Sequence, residues 1–467
     1  MFSGDPFPAS TCNVLFVSVV FFKFLGSSSA YSKMHSWRRL LSTLALLSSA
    51  VAVPAASSVV SSAPAASPTV PYASDDPNYP LWDASENIIP EAIRGTLGST
   101  ILGPQNIPLE LQNPDLLAPP TTDSGSVPNY KWPFSLSHNR LQTGGWARQQ
   151  NMNAMSVATA LAGVNMRLEV GAIREMHWHN DGEWAYIISG DLRVSTVTPD
   201  GQVYLGDVSQ GDLWYFPAGY PHSIQAKNTT ANGAEFLLVF DSGTFSEDST
   251  FLLTDWLAHV PKEVIAKNFQ VNISAFDHIP ASELYIFPST PPPVNIESDM
   301  VVPNDTPMPF TFALSQVNAT QAPGGTYKVV DTRTFPASTT VCGAEVTVEV
   351  GGMRELHWHP TEPEWTYFVS GSARITVYAS SAQAMTTDFQ AGDIAYIPPS
   401  FGHYVENTGN TTLTFLEIFR SGLFQDISLN QWLALTPPEL VKAHLGLDDA
   451  TIASLSKVKQ EVVGPVY

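Results

Sequence analysis

Three histidines and one glutamate in the first half of the chain have the types and spacing of a metal-binding set. His177 and His179 are separated by one residue, Glu183 follows after a turn, and His222 comes just beyond a proline turn. On a β-strand, residues i and i+2 face the same side, so the paired histidines present two imidazoles to one ion. Three neutral imidazoles, one carboxylate and no thiolate favour an octahedral first-row ion with two positions open for water, substrate or dioxygen. The spacing alone does not exclude iron, nickel or cobalt.

The same set occurs a second time. Residues 171–179 and 351–359 are one unit repeated 180 residues apart, and the second copy continues with the same ligand types in the same order. The second set consists of His357, His359, Glu364 and His403. Glu362 is an alternative carboxylate, but it aligns less well. A single core histidine is usually a packing residue, whereas two complete sets in a chain with 11 histidines predict one metal site in each repeat.

Short strands must position these ligands. Each repeat contains short apolar-alternating segments interrupted by Gly, Pro, Asn and Asp, such as residues 184–188 before Ser189 and Gly190. This pattern predicts an all-β barrel or sandwich in each repeat. A helical tail is predicted after each set of strands, at residues 254–267 and 430–443.

The sequence before the first repeat has the composition of a targeting segment. A basic start at Met34, an apolar run from Leu40 to Val51 and small residues at 50–52 predict a cleaved secretory signal with Met34 as the true start. A membrane anchor is the alternative, but the apolar runs are shorter than the roughly 20 residues of a spanning helix, so we expect no membrane association after cleavage. The predicted order is a signal segment at 1–52, a flexible leader rich in Ala, Ser and Pro at 53–79, an N-terminal domain at 80–287, a Pro-rich linker at 288–303 and a C-terminal domain at 304–467.

Composition restricts the partners and the compartment. The net charge of −21 argues against a nucleic-acid partner, and a small anionic substrate would need local positive charge at its site. Five Asn-x-Ser/Thr sequons after a signal segment predict a secreted, N-glycosylated protein, extracellular or in the cell wall. The sequons are Asn228, Asn272, Asn304, Asn318 and Asn410. Cys342 is the only cysteine after the predicted signal, so we expect no internal disulfide.

The two repeats resemble the cupin family. Residues 171–190 and 351–371 fit the first cupin motif, which is a glycine, five residues, His-x-His, three or four residues, Glu, six residues and a glycine. Residues 211–222 fit the second motif, a glycine, five residues, Pro-x-Gly, two residues and His, and residues 392–403 fit it except at Ser400. After the leader, essentially the whole chain is similar to the bicupin oxalate decarboxylases of fungi and bacteria. The resemblance implies two tandem cupin barrels, of the double-stranded β-helix or jelly-roll type, with short helical tails.

The resemblance also implies an activity. It implies one manganese ion per domain and two per chain, dioxygen as co-catalyst, and oxalate as the small-molecule substrate of a homo-oligomeric enzyme. Oxalate has a strong carbon–carbon bond and no electron sink, so direct loss of carbon dioxide would leave a poorly stabilised carbanion-like centre. The resemblance implies a radical mechanism that avoids this centre, in which an electron and a proton leave oxalate before carbon dioxide departs and formate is released.

Two arginines accompany the ligand sets. Arg174 and Arg354 lie three residues before the first histidine of each pair. On a regular strand this odd separation points them away from the ligands, and a twist or a bulge is needed to bring them back. In the family that the chain resembles, an arginine at this place holds the substrate carboxylate. A structural salt bridge with Glu175 or Glu355 is the alternative.

The resemblance predicts the general base and acid at Glu247. Residues 245–250 resemble the mobile active-site lid of the family, and a carboxylate there can take and return a proton. The corresponding segment of the second repeat, residues 424–428, lacks this glutamate, so we expect the first barrel to be the catalytic one. Glu417 of the second repeat aligns with Leu238 and indicates a different acidic site near the second metal.

Three other functions compete with oxalate decarboxylation. Oxalate oxidase acts on the same substrate with the same metal but yields two carbon dioxide molecules and hydrogen peroxide, and retention of Glu247 as proton donor favours formate instead. A bicupin dioxygenase would need a larger pocket for an aromatic substrate. Non-enzymatic storage or binding bicupins often lose metal ligands, whereas both sets are complete here.

Overall fold

The computed structural model describes residues 81–82, 87–300 and 306–466. The predicted signal segment, the leader and the sequon at Asn304 lie outside these ranges. Within them, no helix has both the length and the apolar character needed to cross a membrane.

Strands dominate both halves of the described chain. The strands of the first half are β1 Ala92–Arg94, β2 Leu97–Ser99, β3 Lys131–Pro133, β4 Arg140–Gln142, β5 Gly145–Gln150, β6 Ala162–Leu168, β7 Ile173–Trp178, β8 Glu183–Ser189, β9 Asp191–Val197, β10 Val203–Ser209, β11 Leu213–Phe216, β12 His222–Ala226, β13 Ala234–Phe240, β14 Phe251–Leu252 and β15 Ile286–Phe287. Those of the second half are β16 Thr311–Phe312, β17 Thr320–Ala322, β18 Gly325–Val330, β19 Cys342–Val348, β20 Met353–Trp358, β21 Glu364–Ser370, β22 Ser372–Tyr378, β23 Ala384–Gln390, β24 Asp393–Ile397, β25 His403–Asn407, β26 Leu413–Phe419, β27 Ile427–Ser428 and β28 Val462–Val463. The helices are α1 Ile107–Gln112, α2 Pro114–Leu117, α3 Leu253–Ala258, α4 Lys262–Phe269, α5 Leu429–Leu435, α6 Pro438–Leu445 and α7 Asp449–Ser454.

Each repeat folds into a jelly-roll-like barrel of two antiparallel sheets. In the first barrel the strand orders are β16-β11-β8-β13-β6-β5-β4 and β10-β9-β12-β7-β14, with β15 also paired to β7. In the second barrel they are β17-β18-β19-β26-β21-β24-β3 and β23-β22-β25-β20-β27, with β28 also paired to β20. The equivalent orders confirm the predicted all-β class and the two tandem barrels.

The seven-stranded sheets of the two barrels pack against each other. Strand β12 alternates between buried and half-buried residues, as expected for a sheet with one face in a core. Strands β8 and β13 are buried on both faces along most of their length, because the second barrel covers their outer side. Trp184 of the first barrel and Trp365 and Ile418 of the second share one hydrophobic core. Gly163 is required at this contact, because a Cβ there would lie 2.3 Å from the Trp365 ring.

Each barrel is completed by a strand that belongs, in sequence, to the other. Strand β16 precedes the second barrel but pairs with β11 of the first, and β3 precedes the first barrel but pairs with β24 of the second. Ion pairs anchor the same two segments, since Arg193 bonds to Asp299 of the linker and Arg374 to Asp115 of the N-terminal segment. The domain boundaries predicted from the sequence stay a prediction. In the structure β3 lies on the second barrel, although the first barrel follows it in sequence, and β16 lies on the first barrel, although the second follows it.

The predicted helical tails are present. Helices α3 and α4 follow the first barrel, and α5, α6 and α7 follow the second. Helix α5 begins after Ser428, whose side chain accepts a hydrogen bond from the backbone N–H of Gln431 and so caps the helix. Trp256 on α3 and Trp432 on α5 are 57% and 54% exposed. Exposed aromatic side chains of this kind are typical of surfaces that bind another protein.

Cys342 lies at the start of β19 and is fully buried. Burial raises the pKa of its thiol, and the thiolate is the species that reacts with alkylating reagents. We expect iodoacetamide to leave Cys342 unmodified in the folded protein at mildly alkaline pH and to alkylate it fully after unfolding in guanidinium chloride. Peptide mass mapping measures both states, and equal labelling in them would show that this thiol is accessible.

Candidate metal centres and active site

The first ligand set converges at one point in the first barrel. His177 lies near the end of β7 and His179 just beyond it, while Glu183 begins β8 and His222 begins β12. The β7–β12 ladder pairs His222 directly with His177. One ligand atom from each of the four residues lies within 4.8 Å of the others, and all four side chains are buried.

The second ligand set converges in the same way in the second barrel. His357 lies near the end of β20 and His359 just beyond it, while Glu364 begins β21 and His403 begins β25. One ligand atom from each of these four buried residues again lies within 4.8 Å of the others. Glu364, and not the alternative Glu362, is the carboxylate of this group.

The geometry of the imidazoles fits a metal ion. The Nδ1 atoms of His177, His179 and His222 lie 2.6, 2.6 and 2.8 Å from backbone carbonyl oxygens, which only an N–H can approach as a donor. This tautomer leaves a lone pair on Nε2, facing the cluster. Burial lowers the pKa of His177 and of His222, so both imidazoles are neutral. The buried Nε2 atom of His357 has no hydrogen-bond partner in the described ranges. Those of His222 and His359 face glutamate oxygens at 3.5 and 2.9 Å, two acceptors facing each other, and a metal ion would satisfy all three.

The two carboxylate ligands are held by different neighbours. In the first centre Trp214 donates its indole N–H to Glu183 Oε1 at 2.7 Å, and Glu183 Oε2 lies 3.1 Å from His179 Nε2. In the second centre the hydroxyl of Thr366 donates to Glu364. Burial alone would raise the pKa of Glu183, but His222 and His179 hold it well below its ordinary value. In the second centre, against the effect of burial, His403 and His359 likewise hold the pKa of Glu364 well below its ordinary value, so each centre presents an ionised carboxylate.

A bulge brings Arg174 back towards the active site. His177 pairs with His222 and Arg174 with Ile224, so three steps along β7 match two steps along β12. The same shift separates Arg354 from His357 in the second barrel. The bulge therefore lets each arginine point to the same side as the histidine three residues later, which a regular strand would not allow.

Arg174 pairs with Glu247 and not with Glu175. The Arg174 guanidinium is 1% exposed and donates from Nη2 to Glu247 Oε2 at 2.9 Å. Glu175 is occupied elsewhere, since it accepts hydrogen bonds from Thr254 and from the backbone N–H of Tyr285. The predicted catalytic pair is therefore assembled, 73 residues apart in sequence.

Tyr285 is a member of this group that the sequence did not indicate. Its hydroxyl donates to Glu247 Oε2 at 2.9 Å, and the Arg174 guanidinium lies 4.3 Å from its ring centre. Arg140 covers the ring at 3.6 Å. The φ angle of Tyr285 is +56°, in the left-handed region that non-glycine residues rarely adopt. Tyr285 thus links the arginine and the carboxylate of the first barrel.

Arg354 of the second barrel is surrounded by carboxylates. It bonds to Glu417 at 2.9 Å, to Glu461 at 2.7 Å and to Asp426. Burial would raise the pKa of Asp426, but Arg354 and Lys459 lower it to about 2. The predicted Arg354 and Glu417 therefore lie together, and Asp426 and Glu461 are partners that the sequence reasoning missed.

The loops over the two metal centres differ in length and in attachment. Five residues separate Phe245 from Phe251 in the first barrel, and two separate Phe424 from Ile427 in the second. We call residues 245–250 the lid segment. In the second barrel the shorter loop is tied to a metal ligand, because the carbonyl of Gln425 accepts a hydrogen bond from Nδ1 of His359 at 2.8 Å. In the first barrel the equivalent His179 bonds to the carbonyl of Asp181 instead, and the lid segment meets it only through the edge-on ring of Phe245, at 5.9 Å between ring centres.

A cavity of about 620 Å³ lies on the outer side of the lid segment. Its lining includes Glu247 and Asp248 of the lid segment, Tyr285, Arg140 and Arg148, but none of the four ligands. Glu247 therefore faces this cavity, whereas the metal ligands do not line it. Arg140 is already paired with Asp248 and Glu283, which leaves Arg148 as the cavity arginine without a carboxylate partner among the ion pairs of the described residues.

The fold and the two ligand sets define a two-domain cupin metalloprotein, with one His₃Glu metal-binding site in each barrel. The Cupin family matches residues 138–275 and 312–453. The chain is 51% identical to oxalate decarboxylase OxdC of Bacillus subtilis (strain 168), over 81% of this chain and 98% of that protein. It is 43% identical to a probable oxalate decarboxylase of Arthroderma benhamiae (strain ATCC MYA-4681 / CBS 112371), over 78% of this chain and 91% of that protein. The chain belongs to the oxalate decarboxylase family of bicupin enzymes.

Solved structures agree with this membership. The structure of Bacillus subtilis oxalate decarboxylase at pH 4.6 matches with a TM-score of 0.78 at 51% identity, over 81% of this chain and 98% of that one. A second structure of the same Bacillus subtilis enzyme, from work on its Mn(II) centres, matches with a TM-score of 0.79 at 50% identity, over 81% of this chain and 100% of that one. The predicted family, fold class and enzyme class are confirmed.

Proposed function

We propose that this protein decarboxylates oxalate to formate and carbon dioxide in its first barrel, by a radical mechanism with manganese at the metal centre and dioxygen as co-catalyst. The observation that carries the proposal is the buried Arg174–Glu247 pair, held beside a complete His₃Glu set. The 51% identity to an oxalate decarboxylase over nearly its whole length supports the substrate and the reaction.

Manganese is the metal that we propose for both centres. His177, His179, Glu183 and His222 would hold one ion, and His357, His359, Glu364 and His403 the other. Nitrogen and oxygen donors without sulfur suit manganese, and the Bacillus subtilis relative has Mn(II) centres. When bound, the ion supplies a Lewis acid for the substrate carboxylate and a one-electron couple.

Arg174 is the residue that we propose for binding the substrate carboxylate. One carboxylate, that of Glu247, pairs with it, and its Nη1 atom is buried without a hydrogen-bond partner in the described ranges. Leaving a charged donor buried and unpaired is costly, and an anionic substrate would remove that cost. A guanidinium also matches a carboxylate in shape, which orients oxalate for the reaction.

Glu247 is the residue that we propose for moving the proton. Its side chain is buried, and as a carboxylate it accepts hydrogen bonds from Arg174 and Tyr285. In that form it accepts the proton of monoprotonated oxalate as the electron leaves. The same carboxyl group then returns this proton to the carbon that becomes formate, so no other proton donor is needed.

The first barrel is favoured over the second because its arginine has room for a substrate. Arg354 already has three carboxylate partners, Glu417, Glu461 and Asp426, so oxalate would have to displace one of them. Burial raises the pKa of Glu417, with partial compensation from Arg354. We propose that the second centre mainly stabilises the fold and the assembly.

Incubation of the purified protein with oxalate tests the proposal directly. We expect one formate and one carbon dioxide per oxalate consumed, with hydrogen peroxide at a few per cent of formate or less. Formate is measured by coupled dehydrogenase assay and peroxide by coupled peroxidase assay. Peroxide as the main product would replace the proposal with oxalate oxidation, and no oxalate consumption by metal-loaded protein would favour a binding or storage role.

Replacement of Arg174 by lysine keeps the charge but removes the forked donor. We expect kcat/KM for oxalate to fall by about 10- to 100-fold, the effect of losing one charge-assisted hydrogen bond. Most of the change should be in KM, because Arg174 is proposed to bind the substrate from the start. Arg354→Lys is the matched variant of the second barrel and should change kcat/KM by less than about threefold. A larger effect of Arg354→Lys would move the substrate site to the second barrel.

We also propose that the mature protein is secreted, N-glycosylated and homo-oligomeric. The side chains of Asn228, Asn272, Asn318 and Asn410 are exposed, as glycosylation requires. The exposed Trp256 and Trp432 on the helical tails give a surface on which another copy of the chain can pack. A mass decrease on treatment with an endoglycosidase, and the molar mass from light scattering, test the two points separately.

A further inference from the structure

Two side chains of the barrel wall hold the lid segment: Asn151 donates to the carbonyl of Phe245 at 2.9 Å, and Gln149 contacts the next two residues. Gln149 lies on β5, and its Oε1 atom accepts a hydrogen bond from the backbone N–H of Glu247 at 2.9 Å. Its Nε2 atom lies 3.3 Å from Oγ of Ser246. One amide thus contacts two successive lid residues, one of which carries the proposed proton-transfer carboxylate.

Gln149 is itself rigidly placed. Its backbone pairs with Val164 in the β5–β6 ladder, and its carbonyl accepts a hydrogen bond from Ser137 at 2.8 Å. The hydroxyl of Ser137 in turn accepts a hydrogen bond from the indole N–H of Trp132 at 2.9 Å. The lid is therefore docked on a fixed point of the sheet.

The second barrel lacks this contact. Gln149 is the fifth residue of β5, and the fifth residue of the equivalent strand β18 is Val329, which has no side-chain hydrogen-bonding group. There the loop is attached through the Gln425 carbonyl to the ligand His359. The first residue of the loop is held alike in both barrels, by Asn151 on Phe245 and by Asp331 on Phe424. The residues after it are held differently, by a neutral amide in the first barrel and by a metal ligand in the second.

We propose that Gln149 is a positioning residue for the reaction of the first barrel, which docks the lid segment so that Glu247 lies against Arg174. The inference rests on the proposed function for its catalytic meaning. A neutral amide suits the task, because it binds the backbone of Glu247 without competing for Arg174 as an anion would. Because the hydrogen bonds of Gln149 do not involve a metal ligand, Ser246 and Glu247 can move away for oxalate and return while Phe245 stays packed against His179.

The substitution Gln149→Val tests the proposal by copying the residue of the second barrel. Without the amide, the N–H of Glu247 loses its acceptor in the closed lid, which shifts the lid towards its open form. We expect backbone amides of residues 245–250 to exchange with deuterium about tenfold faster, measured by mass spectrometry. We also expect kcat for formate to fall about tenfold and the ratio of peroxide to formate to rise, since Glu247 is less often in place to return the proton.

Two further variants make the test specific. Gln149→Glu keeps an oxygen acceptor for the Glu247 N–H and should retain most of the lid protection, so behaviour identical to Gln149→Val would overturn the docking role. Gln142→Val makes the same substitution on the neighbouring strand β4 and should leave lid exchange and product ratio unchanged. If Gln149→Val does not fold, Gln149→Ala replaces it, with thermal unfolding and metal content as the checks on folding.

The outcomes separate this inference from the proposed function. Unchanged lid exchange in folded, metal-loaded Gln149→Val or Gln149→Ala protein would overturn the docking role, whatever the activity. Failure of the unmodified protein to make formate would overturn the proposed function, while faster lid exchange in the variant would still support the docking contact. Faster exchange with an unchanged product ratio would overturn the positioning role in the reaction.

Discussion

Replacing Glu247 with glutamine is expected to lower the rate of formate production by about two to four orders of magnitude, the usual contribution of a general acid or base. Glutamine keeps the size of the side chain and can still contact Arg174 and Tyr285, but it cannot accept or return a proton. If the radical anion that remains after loss of carbon dioxide does not receive this proton, dioxygen can oxidise it instead. The fraction of turnovers that produce hydrogen peroxide should therefore rise. Parallel formate and peroxide assays measure both effects.

Asp248→Asn is the matched control for Glu247→Gln. Asp248 is the next residue of the lid segment, is 78% exposed in its side chain, and lies 3.6 Å from Arg140 in a surface ion pair. Surface pairs of this kind contribute little, so we expect formate production within about threefold of the unmodified protein. If Glu247→Gln left the ratio of formate to peroxide unchanged, the proton donor would have to be another group.

Removal of one ligand histidine in each barrel separates the two metal centres. His222→Ala should lose one of the two metal ions per chain and lower oxalate decarboxylation by about three orders of magnitude or more, because the ion that we propose as Lewis acid and redox partner in the first barrel would be lost. His403→Ala should also lose one metal ion but keep a large part of the activity in the protein that remains folded. Metal content by plasma mass spectrometry and the formate assay together give the result.

The contrast between these two variants decides which barrel is catalytic. Equal and complete loss of activity in both, with each retaining one metal ion, would mean that the two centres work together. Loss in His403→Ala alone would place the reaction beside Arg354 and Glu417. Thermal unfolding of both variants shows whether the second centre contributes more to stability, as proposed.

The sequence was sufficient for the fold class and for the convergence of the ligands, because these features are local and repeated. A His-x-His pair needs only the two-residue period of a strand, and Glu183 and His222 recur at matching places in the second repeat. The position of Arg174 depended on a bulge, which breaks that period and is set by the pairing of β7 with β12. The sequence position of Arg174 was compatible with two orientations, one towards the metal ligands and one towards a structural salt bridge with Glu175.

The remaining contacts of the site join residues that are distant in sequence and have ordinary types. Tyr285 meets Glu247 across 38 residues, and Gln149 meets it across 98. Glu461 reaches Arg354 from the end of the described chain. Asp426 could have been found, because it stands at the place of Glu247 when Phe424 is aligned with Phe245 and the shorter loop is allowed for. The aspartate in place of a glutamate conceals this correspondence in the sequence.

The reciprocal placement of β3 and β16 means that neither half of this protein is a self-sufficient folding unit. A half chain expressed without its counterpart would leave β11 or β24 as an open edge, a surface that promotes aggregation. Two copies of a half chain could cover each other's edges, as in a domain-swapped dimer, but only at sufficient concentration. Because the linker joins the two halves in one chain, each half covers the open edge of the other within the same molecule. Pairing of the halves therefore does not depend on protein concentration.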